Sequence, residues 1–146
     1  MAENFKSVTG KIKFLGNSIV TRQAQNYSLI EIENSDGKTL SLQNVAVGNL
    51  LDNYLRMGEE LEIKLVKAKI FNKFWGDALY VYGVRREGGA TVGSIPFWFS
   101  FQRNFRIFLG LLCLLGGITI PIGIYFLWRA VKLTKVIRQM RLDTAA

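Results

Sequence analysis

Apolar and polar residues alternate along much of the first 86 positions, which is the pattern of strands with one buried face. Ile30 and Ile32, for example, alternate with two glutamates. Segments with this period lie around residues 8–14, 30–33, 40–43, 61–70 and 79–84, and a slip in the phase at Val66 predicts a bulge. The sequence Asn-Ser-Asp-Gly at 34–37 predicts a tight turn. The pattern therefore predicts five strands.

A short helix is predicted between the third and fourth strands. Apolar residues recur at helical spacing from Val47 to Leu55, and the segment ends at Gly58, a favourable helix stop. The order of elements, β-β-β-α-β-β, resembles the oligonucleotide/oligosaccharide-binding (OB) fold over residues 5–86, although another small antiparallel barrel or sandwich would also accommodate it. We therefore predict a mainly β domain at 1–86, a small OB-like five-stranded antiparallel barrel with one short helix between strands 3 and 4.

Residues 107–128 contain no charged side chain. As one α-helix they would extend about 33 Å, and the hydrocarbon core of a bilayer is about 30 Å thick. The run predicts a single transmembrane α-helix, because the rest of the chain is too small to cover it on all sides as a core helix. Pro121 and the adjacent Gly116 and Gly117 leave open a kink or a re-entrant hairpin. We favour the single span because a turn in lipid leaves backbone groups unpaired.

The segments around this run are predicted to include two amphipathic helices. Residues 87–94, EGGATVGS, form a linker, followed by an interfacial aromatic helix at 95–106 and, beyond the span, a basic amphipathic tail helix at 129–146. Aromatic and basic residues favour the headgroup region of a bilayer, although the aromatic stripe would also suit a surface helix packed on the barrel. The residues predicted to lie at the membrane interface are Phe97, Trp98, Phe101, Arg103, Arg106, Trp128, Arg129 and Lys132.

The net charge of +8 is concentrated in the last third of the chain. Residues 1–95 contain 12 Lys and Arg against 10 Asp and Glu, whereas residues 96–146 contain seven against one. This distribution predicts contact with the anionic headgroups of membrane lipids. Together with the span and the absence of a secretory signal peptide, it predicts an integral protein of the bacterial inner (plasma) membrane with a cytoplasmic C-terminal tail, and leaves the side of the N-terminal domain open.

Few residues with catalytic chemistry are present. The chain has no histidine, and its single cysteine, Cys113, lies in the apolar run. The sequence also contains no phosphate-binding glycine loop and no cluster of metal ligands. We therefore predict a protein that is not an enzyme, with no catalytic residue, no metal site and no cofactor.

Cations and aromatic residues interleave around the predicted loop between the fourth and fifth strands. The residues of this candidate ligand or partner loop are Lys69, Phe71, Lys73, Phe74 and Trp75, with Tyr80 and Tyr82 on the next strand. Aromatic rings stack on bases and lysines neutralise phosphates, so this composition suits a single strand of nucleic acid. Because the first 95 residues are only weakly basic, packing of the rings in the barrel, against another subunit or at lipid is the competing interpretation.

Small residues at Gly116, Thr119 and Gly123 leave one face of the predicted span nearly without side chains, which favours helix–helix packing. The main functional hypothesis is a non-enzymatic, membrane-anchored interaction or assembly subunit that forms a homo-oligomer or docks onto a larger membrane protein complex. The first alternative is a membrane-tethered single-stranded nucleic-acid-binding protein that uses the aromatic and basic loop. The second is an oligomeric pore or membrane-active effector.

Overall fold

The computed structural model describes residues 5–20, 24–69, 77–95, 97–115 and 120–145. The chain divides into two compact units, of which the first comprises residues 1–94 and 144–146 and the second residues 95–143. The strands are β1 (Phe5–Leu15), β2 (Ser18–Val20), β3 (Ala24–Glu33), β4 (Thr39–Gly48), β5 (Glu60–Lys69), β6 (Asp77–Arg86) and β7 (Thr91–Gly93). The helices are α1 (Asn49–Asp52), α2 (Phe97–Leu115) and α3 (Ile120–Ala145).

The five long strands close into a barrel. The first part of β1 pairs with β5 and its last part pairs with β3, and the circle continues from β3 through β4 and β6 back to β5. The neighbours are antiparallel except β4 and β6, which run parallel. With α1 between β4 and β5, this is the arrangement of the OB-like Greek-key barrel, so the mainly β part of the predicted fold is present.

The interior of the barrel is filled by the apolar residues of the alternating pattern. Ile30 and Ile32 are fully buried in the core, whereas the intervening Glu31 is not, as the alternation predicts. Leu51 of α1 is also fully buried, so the short helix contributes to the same core. The predicted tight turn is confirmed, since the amide of Gly37 donates to the carbonyl oxygen of Asn34 and β3 pairs with β4 on either side of the turn.

Two bulges shift the strand alternation. In β1, Ile12 pairs with Ile32 and Phe14 with Glu31, so that Lys13 is the extra residue. In β6, Tyr82 is extra, between the residues that pair with Lys64 and Leu65. The bulge predicted at Val66 in β5 therefore lies on the partner strand β6, beside that position.

Closure of the barrel requires a close backbone approach at Gly10. Gly10 pairs with Leu61 of β5, and at the next residue β1 also pairs with β3. A Cβ atom on Gly10 would overlap the carbonyl oxygen of Glu33 and would lie 2.8 Å from Cγ2 of Ile32. Only glycine lets β1 pass this close to β3, which explains why a residue without a side chain stands at this corner of the barrel.

The second unit consists of two long helices packed side by side. A Cβ atom on Gly110 of α2 would lie 2.8 Å from Cγ of Leu127 in α3, and one on Gly123 would lie 2.9 Å from the carbonyl oxygen of Gly110 and 3.0 Å from Cγ of Leu114. Later residues of α2 thus contact earlier residues of α3, so the helices run antiparallel. The two glycines permit the close approach of the helix backbones.

The prediction of a single transmembrane helix over 107–128 is wrong. This run is divided between α2, which ends at Leu115, and α3, which begins at Ile120. Among the described residues, none of the helices combines the length and apolar character needed to cross a membrane. The physical reason is that each helix contains only part of the apolar run and continues into a segment with basic residues. The apolar stretch in either helix is therefore about half as long as the predicted span.

The predictions that depend on a membrane span are wrong with it. They are the assignment as an integral membrane protein, its location in the inner (plasma) membrane and the cytoplasmic tail. The hypothesis of a pore requires the same span and is dropped. The segments predicted as separate helices, 95–106 and 129–146, belong to α2 and α3, and part of the predicted linker 87–94 is the strand β7, which pairs with β6.

We expect Gly10→Ala to lower the free energy of unfolding by about 1 to 3 kcal/mol, because the new methyl group must displace the backbone of Glu33. Urea denaturation followed by circular dichroism measures this change. The matched control is Gly48→Ala, since a Cβ atom at Gly48 would meet only the side chain of Ser94, at 3.5 Å. Equal stability of the Gly10→Ala variant and the wild type would contradict the proposed role of the corner.

Candidate functional site

An exposed polar surface covers part of the outside of the barrel, on β1, β3 and β4. We call it the β3–β4 face, and its residues are Phe14, Leu29, Glu31, Ser41 and Gln43. Phe14 pairs with Glu31, which in turn pairs with Ser41, so these three form one row across the strands. Leu29 and Gln43 form the neighbouring pair. The face thus combines an aromatic ring, 49% exposed at Phe14, with hydroxyl, amide and carboxylate groups.

The strand register places the loop between β5 and β6 beside this face. Leu79 pairs with Val45 in the parallel β4–β6 ladder, and Val81 pairs with Val47. Because these strands are parallel, Asp77, where β6 begins, lies on the side of Val45 towards Gln43. The segment 70–76 that precedes Asp77 therefore joins the barrel next to the β3–β4 face.

The aromatic and basic residues predicted for the loop fall largely outside the described part of the chain. Phe71, Lys73, Phe74 and Trp75 lie outside the described residues, and Lys69 is described only as the last residue of β5, paired with Asp77. Their assignment to a ligand site stays a prediction. What the structure adds is the position of both ends of the loop.

Tyr80 and Tyr82, the other two residues predicted for this site, are buried. They are 6% and 3% exposed, and the ring of Tyr82 packs edge-on against Phe5 at 5.8 Å between centroids. Tyr80 pairs with the buried Ala46 on β4 and with the buried Val66 on β5. These three belong to the buried part of the outer barrel surface, so the two tyrosines are not placed to offer an open ring face to a ligand.

Burial raises the pKa of Tyr80 to about 12, because removal from water disfavours the charged phenolate. The pKa of Tyr27 is also raised, first by burial and then by the hydrogen bond that its hydroxyl donates to Oδ1 of Asp52 at 2.6 Å. Both phenols therefore stay neutral in the folded protein at pH values where an exposed tyrosine ionises.

Charges on and beside the β3–β4 face nearly balance. Nζ of Lys13 forms an ion pair with Oε2 of Glu33 at 2.6 Å, and Glu31 adds a second carboxylate. A phosphate group would gain little from this part of the surface. Among the residues that the structure describes, no group of three histidine, cysteine, aspartate or glutamate side chains is arranged to hold a metal ion.

Sequence reasoning did not identify the exposed apolar residues on and beside this face. The alternation in β1 predicts that Phe14 points inward, and the bulge at Lys13 reverses this. Ile19 and Val20 on β2 are 64% and 70% exposed, in the connection between β1 and β3. In OB barrels this connection flanks the ligand-binding face, so the OB-like order of elements was the one signal that could have drawn attention to them.

The residues predicted to lie at a membrane interface belong to α2 and α3. The rings of Phe97 and Phe101 stack on the same side of α2, with centroids 5.9 Å apart, and Arg103 donates to the side chain of the adjacent Asn104. The side chain of Trp98 lies outside the described residues. None of these contacts requires a lipid partner.

Aromatic rings and cations are paired along α3. Nζ of Lys132 lies 3.2 Å from the centroid of the Trp128 ring, and the guanidinium carbon of Arg129 lies 5.7 Å from that of Tyr125. Burial and, to a smaller extent, the nearby positive charge of Arg129 lower the pKa of Arg106. Of the residues predicted for helix–helix packing, Gly123 contacts Gly110 within the chain, and Gly116 and Thr119 lie outside the described residues.

No protein-family model and no curated protein matches the chain. Solved structures that resemble it include crystal structures of Rim1, a mitochondrial single-stranded DNA-binding protein from S. cerevisiae. A selenomethionine form is 19% identical, with a TM-score of 0.37, over 56% of this chain and 90% of that chain. A second form is 14% identical, with a TM-score of 0.37, over 56% and 92%. At such low identity and TM-score, no functional residue is transferred from these structures.

We expect the stability of the protein to fall as pH rises from about 10 towards 12, and to fall less in Tyr80→Phe. Below the unfolded pKa of about 10, both states keep the phenol proton, whereas between 10 and 12 only the folded state keeps it. The loss attributable to Tyr80 is on the order of 2 kcal/mol. Urea unfolding of the wild type and of Tyr80→Phe at pH 8 and pH 11.5 measures this loss of stability. An equal loss in both proteins would contradict the raised pKa of Tyr80.

Proposed function

We propose that the protein is a non-enzymatic binding protein that holds single-stranded nucleic acid on the β3–β4 face and the adjoining loop 70–76. The observation that carries the proposal is the parallel pairing of β4 and β6, in which Leu79 pairs with Val45, so that the start of β6 lies on the side of Val45 towards Gln43 and the exposed face. The interleaved aromatic and basic residues of the loop thereby join a surface that already has an exposed ring at Phe14.

Each part of this surface suits one part of a nucleotide. Phe14 is half exposed, and aromatic rings of this kind stack on unpaired bases regardless of sequence. Ser41 and Gln43 provide hydrogen-bonding groups for base edges on the same face. Lys69 and Lys73, which the sequence assigns to the loop, are expected to supply cations for phosphates. Because Glu31 lies on the face and Glu33 lies beside it, the phosphates are expected on the side of the loop.

A single strand fits this chemistry better than a duplex. Stacking on a side chain requires bases that are not paired with each other. Residues 1–95 have an excess of only two basic groups, which is too small to neutralise the closely spaced phosphates of a duplex over several turns. The proposal therefore specifies short single-stranded DNA or RNA segments bound mainly by stacking.

Fluorescence anisotropy with a labelled 20-nucleotide oligo(dT) at 50 mM salt tests the proposal. We expect Phe14→Ala and Trp75→Ala each to weaken binding by about tenfold, since stacking contributes roughly 1–3 kcal/mol per base. The joint variant Lys69→Ala, Lys73→Ala should reduce the dependence of log affinity on log salt by about 1.4.

Two control variants separate the face from the rest of the barrel. Leu50→Ala removes an apolar side chain that is 70% exposed on α1, and Lys38→Ala removes a cation in the turn after β3. Both should bind oligo(dT) like the wild type. No binding by the wild type, or binding that all five variants change equally, would refute the proposal.

A further inference from the structure

The C-terminal end of α2 and the N-terminal end of α3 carry a large exposed apolar surface. Its side chains are Phe108, Leu111, Leu112 and Leu115 on α2 and Ile120, Ile122 and Ile124 on α3, with exposures from 45% to 87%. No charged residue occurs between Arg106 and Arg129. We call this surface the apolar helix end.

On α2 the exposed side chains lie on the side opposite the contact between the two helices, whereas on α3 Ile120 and Ile124 lie on one side of the helix and Ile122 lies on the other. That contact is made by Gly110, Leu114, Gly123 and Leu127. Phe108, Leu112 and Leu115 recur at i, i+4 and i+7, which places them along one side of α2. The apolar helix end is therefore not the seam that holds the pair together, and the packing of α2 on α3 leaves it uncovered.

The size of this surface indicates a partner. Seven large side chains that are roughly half exposed, at about 80–100 Å² each, present on the order of 600 Å² of apolar area. This is at the upper limit of the patches that monomeric proteins expose, which is about 300–600 Å². It also approaches the ~800 Å² that each partner contributes to a stable complex. The favourable free energy of removing this surface from water is correspondingly large.

We propose that a second copy of this chain covers the apolar helix end, so that two helix pairs pack as a four-helix bundle in a homodimer. A partner must present an uncharged helical surface of matching size, and the chain itself carries one on two adjacent helices. A two-fold interface brings the same patch of both copies together, which satisfies both surfaces at once.

Charge restricts the interface to this part of the helices. Residues 96–146 carry seven basic groups against one acidic group, and all seven lie outside 107–128. Contacts between copies that included the basic segments would place like charges together. The uncharged ends of α2 and α3 are the part of the unit where two copies meet without this repulsion. This inference is independent of nucleic-acid binding by the barrel.

Light scattering coupled to size-exclusion chromatography of the full chain tests the proposal. The wild type is expected at twice the 16.5 kDa chain mass. Leu112→Glu and Ile124→Glu should each elute as monomers with an unchanged circular dichroism spectrum, because a carboxylate would be buried without a partner. The matched control Leu50→Glu alters a side chain that is 70% exposed on α1 and should remain dimeric.

Leu115→Ala provides a second variant that introduces no charge. It removes most of the side chain that is 87% exposed, and we expect the dimer dissociation constant measured by sedimentation to rise about tenfold. A wild type that is monomeric at tens of micromolar would overturn the proposal. So would flotation of a monomeric wild type with phosphatidylcholine vesicles that Leu112→Glu abolishes, since the occupant would then be lipid.

Discussion

The barrel depends on the close approach of two backbones at Gly10. There β1 leaves β5 and joins β3, and a side chain of any size would overlap the carbonyl oxygen of Glu33. This crossing lets β1 pair with both β5 and β3 and so closes the circle of strands, in which β3 also pairs with β4 and β4 with β6. The parallel pairing of β4 with β6 places the start of β6 on the side of Val45 towards the exposed β3–β4 face. The candidate site is thus a consequence of barrel closure.

Residue alternation predicted the barrel interior well and its exterior poorly. Ile30 and Ile32 could be assigned to the core because a period of two and the turn at Gly37 agree with each other. The bulges at Lys13 and Tyr82 could not be predicted, since an extra residue in a ladder is a property of two paired strands rather than of one sequence segment. The bulge at Lys13 explains why Phe14 is exposed although the alternation predicts that it points inward. Tyr80 is buried by residues that are distant from it in the sequence.

The apolar run was misread for a different physical reason. A charge-free stretch indicates how much apolar surface a segment has but not whether one helix or two carry it, and Pro121 with Gly116 and Gly117 was the signal that left a hairpin open. The contact that distinguishes these two arrangements joins Gly110 to Gly123. These residues are thirteen positions apart in the sequence, so in a single straight helix they would not touch each other. The glycines were visible in the sequence, and Gly123 was assigned to helix packing, but its partner within the chain was not predictable from spacing alone.

The division of charge between the two units determines how the two proposals would combine. On the barrel, the Lys13–Glu33 ion pair and Glu31 leave little electrostatic attraction for phosphates, so stacking would supply most of the affinity and the dependence on salt would be shallow. A single site of this kind binds weakly. If two copies were joined through α2 and α3 and one strand reached both barrels, the second binding step would be intramolecular. Self-association would therefore raise the apparent affinity without any new contact to the nucleic acid, and a monomeric variant would keep the site while losing that gain.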